Sequence, residues 1–181
     1  MADIKTAKTP GVNPLFLREE ELRQGIELLF YAYRDFTSGP DAILAEIGFG
    51  RAHHRAIYFI GRNPDITVSE LLAILRITKQ SLSRVLGQLV QEGFVDQRAD
   101  EADRRKRLLR LTDRGEELER RLTADQRARM ARAYRAAGAE AVEGFRSVLA
   151  GMIDDTDTVN ETLSRGAEGA EGAPATRARR A

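Results

Sequence analysis

Between Thr78 and Glu92, apolar residues recur three and four positions apart at Leu82, Val85, Leu86, Leu89 and Val90, while Lys79, Gln80, Ser81, Ser83, Arg84, Gln88 and Gln91 fill the other positions. That spacing predicts a helix that buries one face and presents the other. The presented residue types suit a polyanion with readable edges. Gln and Ser bond base edges and phosphates, Arg pairs bidentately with guanine, Lys neutralises phosphate, and a helix N-terminus itself attracts phosphate. The same face would also serve as an ordinary solvated helix surface.

A second basic cluster follows at Asp100 to Lys106, where Asp103 is succeeded by Arg104 and Arg105. An arginine held at a hairpin tip can enter a narrow minor groove, where the potential is most negative. Asp103 is expected to orient a wing arginine through a charge-assisted bond rather than to touch nucleic acid. The bland alternative is a charged turn kept polar for solubility.

The elements that must position these residues follow from local signals. Asn63 and Pro64 mark a turn, and Thr67-Val-Ser-Glu70 spells a reciprocal capping pattern before Leu71, Leu72, Ile74 and Leu75. Thr78 caps the next helix and Gly93 ends it. Two short helices joined by a tight turn make a helix-turn-helix. From Phe94 the period changes to that of a β-hairpin with a basic tip, closing at Leu111. Thr112 caps a long helix over Asp113–Ala137, and a last helix spans Glu140–Leu163. At the other end, Leu15, Leu22, Ile26, Leu29, Phe30 and Tyr33 predict an amphipathic helix over Leu15–Phe36. Gly39 and Pro40 are expected to stop it, with a short helical piece over Asp41–Ile47 and another helix over Arg51–Gly61. Residues 1–13 read as a flexible arm and 164–181 as a disordered tail. The fold class expected is mainly α with a small β-wing: a winged helix-turn-helix flanked by N- and C-terminal helices.

Composition narrows the classes. At 181 residues, with 42% hydrophobic and 31% charged, the chain suits one soluble folded domain with extensions. No run approaches the ~18 to 20 apolar residues of a membrane span, and no signal-peptide core opens the sequence, so no membrane partner and a cytoplasmic location are expected. Cysteine is absent, which removes disulfides, thiolate nucleophiles and thiol-based redox sensing. Net charge is only +1, yet residues 76–112 hold nine Lys or Arg against five Asp or Glu, so the basic charge is local. No phosphate-cradling glycine loop, nucleophile elbow or carboxylate pair assembles, so no enzyme activity and no cofactor are expected. His53 and His54, adjacent on a helix, point about 100° apart. They suit a capping or interface role better than a metal site, and no metal is expected.

The run Ile66-Thr-Val-Ser-Glu-Leu-Leu-Ala-Ile-Leu, the run Thr78-Lys-Gln-Ser-Leu-Ser-Arg-Val-Leu-Gly-Gln-Leu-Val-Gln-Glu-Gly-Phe-Val, then Asp103-Arg-Arg and Leu111-Thr-Asp-Arg-Gly together resemble the MarR family of transcriptional regulators, over roughly Leu15 to Leu163. The resemblance implies a triangular homodimer straddling a palindromic site on double-stranded DNA, a repressor where the operator overlaps a promoter, which is the reading favoured, and an activator where it lies upstream. Residues 14–163 would form the family domain, with 41–112 as the winged-helix part and 14–38 and 113–163 as dimerisation helices. Thr78, Lys79, Gln80, Ser81 and Arg84 fall on the family's recognition-helix contacts, and Asp103, Arg104 and Arg105 on its wing. Ser83 and Gln88 join the first group by their place on the outward face. Some members sense oxidants through a cysteine, a route closed to this chain. Others bind small phenolic anions in a cleft, for which Tyr33, Phe36, His54 and Arg55 are the candidates, with an aromatic or anionic ligand as inducer. The rival reading is a winged-helix protein-interaction module without sequence-specific DNA binding.

Overall fold

A computed structural model of the chain describes residues 14–155, 157–162 and 164. The expected arm and nearly all of the expected tail lie outside them. The described chain falls into two compact units that divide between Arg129 and Met130. In order, a 3-10 turn (Pro14–Leu17) leads to α1 (Glu19–Glu46), α2 (Arg51–Arg62), β1 (Ile66–Thr67), α3 (Val68–Leu75), α4 (Lys79–Gln91), β2 (Val95–Ala99), β3 (Arg107–Leu111), α5 (Asp113–Ala137) and α6 (Ala139–Gly151).

The core of the first unit collects the apolar faces of its elements. Leu44 comes from α1, Ile57 and Ile60 from α2, Leu71 from α3, Leu82 and Leu89 from α4, Val95 and Leu109 from the sheet, and Leu118 and Leu122 from α5. Each recurs at the period its element requires. The sheet is antiparallel with order β1-β3-β2, Val95 pairing with Leu111 and Ala99 with Arg107. The hairpin is therefore as expected, but β1 adds a third strand by pairing Ile66 with Leu109. A two-residue strand carries no period to read.

Three caps form as the residue types predict. Glu70 N–H donates to Thr67 Oγ1 at 3.1 Å while Thr67 N–H donates to Glu70 Oε2 at 2.8 Å. Ser81 N–H donates to Thr78 Oγ1 at 3.2 Å, and Gly115 N–H to Thr112 Oγ1 at 3.1 Å. Each satisfies an amide that a helix start leaves unpaired. Gly93 ends α4 at φ +71°, where a Cβ would be strained.

Two expectations about helix ends fail. Gly39 and Pro40 do not stop the first helix: α1 runs through both to Glu46. Proline has no N–H to give the carbonyl four residues back. That carbonyl belongs to Phe36, and the buried Gln126 of α5 donates its amide to it at 3.2 Å. Gly39 allows the approach, since a Cβ there would lie 3.1 Å from Asp125 Oδ2. The Gly-Pro pair is thus a seat for α5, not a helix end. In the second unit, the helix expected over Glu140–Leu163 breaks after Gly151. Asp155 then accepts the N–H of Asp157 and Thr158, restarting a helix through a side-chain cap.

The start of α5 is fastened to the end of α4. Thr112 Oγ1 donates to Gly93 O at 2.7 Å, Arg114 donates to Glu92 O, and the Arg114 guanidinium lies 4.2 Å from the Phe94 ring centroid. Contact here is backbone-close. A Cβ on Gly115 would stand 2.0 Å from the Phe94 carbonyl oxygen.

Candidate nucleic-acid interface

With Leu82, Val85, Leu86 and Leu89 buried, helical geometry turns Gln80, Arg84 and Gln91 to the opposite side, and all three are exposed. Lys79 and Ser83 are exposed as well, and Ser81 is half-buried. Thr78 is engaged as the cap, its hydroxyl donating to Ser81 Oγ at 2.8 Å. Gln88 is exposed but already bonded: its Oε1 lies 2.7 Å from His53 Nε2 of α2. The remaining face of α4 is a run of amide, hydroxyl and guanidinium groups with no carboxylate before Glu92.

The wing tip is shaped by two aspartates. Asp100 Oδ1 accepts Ala102 N–H at 2.9 Å, and Asp103 Oδ1 accepts Arg105 N–H at 3.1 Å, while Lys106 N–H donates to Asp103 O. Asp103 thus reaches the arginine through its main chain, where the sequence suggested a bond to a guanidinium. Both are local turns of the Asx kind. They leave Arg104, Arg105, Lys106 and Arg107 exposed in a row.

A residue the sequence did not flag holds the base of the wing. Asp65, in left-handed backbone at φ +66°, accepts from Arg98 Nη2 of β2 at 3.0 Å and from Arg110 Nε of β3 at 3.3 Å, with Arg110 Nη2 on its second oxygen. One carboxylate clasps both hairpin strands. The Arg110 bonds first, then the bond from Arg98, hold the Asp65 carboxyl below its ordinary pKa. Nothing near Asp65 in sequence announces this, because its partners lie 33 and 45 positions on.

Tyr33 and Phe36 lie on α1, His54 and Arg55 on α2. The two helices are joined here by Arg51, which donates from Nε and Nη2 to the one Asp41 oxygen Oδ2 at 2.9 and 2.8 Å and lies 5.7 Å from the Tyr33 ring. Tyr33 and Arg55 are exposed, Phe36 and His54 half-buried. Desolvation lowers the His54 pKa, opposed by the charge of Asp41. An open cleft of about 460 Å³ lies elsewhere, between α2, β3 and α5, lined by Ile60, Pro64, Arg110, Leu111, Glu119 and Arg120 among others. It touches none of the four. Among the described residues, no three His, Asp or Glu side chains gather into a metal-binding group, and no helix is long and apolar enough to cross a membrane.

Comparison with known proteins decides the family. A profile described as MarR family matches residues 47–106, from the end of α1 through the wing tip. The HTH-type transcriptional regulator PetP of Rhodobacter capsulatus is 53% identical over 168 residues, 93% of this chain and 100% of that protein. The chain belongs to the MarR family. It is thus an HTH-type transcriptional regulator, and members of this family are DNA-binding regulators, not enzymes. A second relative in sequence, the HTH-type transcriptional regulator BilQ of Clostridium symbiosum, is 32% identical over 82 residues, 45% of this chain and 57% of that protein. The winged-helix fold is shared with Streptococcus pneumoniae FabT, solved in complex with DNA (TM-score 0.64, 20% identity, 72% of this chain and 94% of that one). It is shared also with the MarR family regulator SP03579 (TM-score 0.62, 20% identity, 89% and 100%).

Proposed function

We propose that this MarR-family chain binds a palindromic operator as a homodimer and represses the promoter it overlaps. Each α4 lies in a major groove, presenting Thr78, Lys79, Gln80, Ser81, Ser83, Arg84 and Gln88, and each wing places Arg104 and Arg105 in the flanking minor groove. One observation carries this: an exposed face of donors and acceptors on α4 stands beside a wing whose tip and base are both fixed by carboxylates, so two grooves can be met at set positions. FabT, a neighbour in fold, is solved in complex with DNA, which supports DNA as the partner. Half-sites then lie about one helical turn, ~10 bp, apart. The winged-helix part corresponds to residues 41–112, and residues 14–38 and 113–163 supply the dimer contacts.

A small aromatic or anionic ligand at Tyr33, Phe36, His54 and Arg55 is the proposed inducer. It acts by binding better to a conformation whose helix spacing mismatches the grooves. The test of the whole reading is retention of genomic fragments by purified protein at about 150 mM salt, followed by sequencing. A recovered palindrome is expected. Binding with no enriched motif would replace this reading with that of an interaction module.

A further inference from the structure

His53 sits where the α1–α2 corner, the DNA-facing helix and the wing entry meet. Its ring lies flat on Phe49, centroids 4.4 Å apart at 4°, and Phe49 meets Phe94 edge-on at 5.5 Å. Its Nδ1 is 3.1 Å from the backbone nitrogen of Gly50, and its Nε2 is 2.7 Å from Gln88 Oε1. A backbone N–H can only donate, so Nδ1 accepts, and the proton of the neutral ring sits on Nε2. That N–H needs an oxygen. The Gln88 amide is therefore held with Oε1 toward α2 and its NH2 turned away. A glutamine without such a partner presents either end with little preference; this one would set N–H against N–H if it flipped.

We propose that His53 is a positioning residue for sequence reading: by fixing the Gln88 amide it makes α4 offer a lone donor at that point of the groove. Adenine takes both ends of a glutamine amide, through N7 and N6–H2. With Oε1 drawn toward α2 by His53, the end left toward the groove is the NH2, and the base matched is one that shows an acceptor alone, guanine through O6 or N7 or thymine through O4. The inference rests on the reading that α4 enters the major groove.

The experiment is selection from a randomised operator by the full chain, with the wild type, His53→Phe, Gln88→Ala, the double variant and Gln88→Glu in parallel. His53→Phe keeps a ring against Phe49 and removes both hydrogen bonds. The wild type is expected to prefer G or T at one position per half-site. His53→Phe should lose that preference and bind the selected site roughly two- to tenfold more weakly. The double variant should be no worse than Gln88→Ala, since both remove one coupled interaction. Gln88→Glu keeps the oxygen that His53 needs and replaces the donor with an acceptor. It should shift the same position toward bases that donate, cytosine N4 or adenine N6, which assigns the contact to Gln88 even if His53→Phe folds poorly. An unchanged profile for Gln88→Glu, losses that add in the double variant, or uniform weakening on all sequences overturns the inference. A wild type that selects no motif fails the operator reading instead, before His53 is tested.

Discussion

Arg84 and His54 show how differently single side chains enter the behaviour of this regulator. Arg84 is exposed on α4, opposite the buried leucines. Replacing it with alanine should weaken operator binding by about 1 to 3 kcal/mol and relax the preference at one base pair, read by competition against single-substituted operators. Equal weakening on every sequence would reassign it to a phosphate. His54 acts on stability instead. Its half-burial disfavours the charged ring, so its folded pKa lies below the ordinary 6.5. The unfolded chain then binds the proton first, and stability is full above pH 6.5 and falls as pH drops toward the folded value. The urea midpoint should decline on acidification through that window, and His54→Leu should flatten the decline; parallel curves for the two proteins would remove His54 from the account. Caps such as Thr67, Thr78 and Thr112 were legible in the sequence because a cap and its amide sit within three residues. His53 with Gln88 and Asp65 with its two arginines were not, because the partners are far apart in the chain and neither end has a distinctive neighbour.

At the scale of elements, the passage of α1 through Pro40 depends on α5. Gln126 supplies the hydrogen bond that the proline cannot, and it is buried in doing so. Gln126→Leu should leave the Phe36 carbonyl without a donor and lower unfolding free energy by about 1 to 3 kcal/mol, measured by chemical denaturation. A neutral result would mean that α1 tolerates the open carbonyl unaided. The amphipathic periods of α2, α3 and α4, and the change of period at the hairpin, were readable because each buries one side against a single core. The junction of α1 and α5 was not: a Gly-Pro pair ordinarily ends a helix, and the group that rescues this one lies 90 residues later. The break after Gly151 was hidden likewise, since an apolar stripe continues across it.

For the molecule as a whole, what the single chain leaves uncovered matters most. The stripe that predicted α1, including Leu22, Ile26, Leu29, Phe30 and Tyr33, is exposed, and Ile26 keeps 69% of its surface. α6 has no buried residue and shows Phe145 and Val148 to solvent. Apolar surface left exposed along a helix in this way marks an interface, in keeping with the proposed homodimer. Ile26→Glu should shift sedimentation toward the monomer and, by removing one of two linked half-site contacts, weaken operator binding by at least tenfold, as two-site avidity implies. A wild type that sediments as a monomer at micromolar concentration would sink the dimer. The melting temperature of the wild type should rise with protein concentration, because association stabilises only folded chains.

The contact between Gly115 and the Phe94 carbonyl reaches into the genetics of this regulator. Any side chain at 115 must displace a backbone atom where α4, the wing and α5 converge, and every missense change of a glycine codon installs one. In a saturation screen for operator control, codon 115 should stand as an unbroken column of losses, while the exposed Glu117, two codons along the same helix, drifts freely.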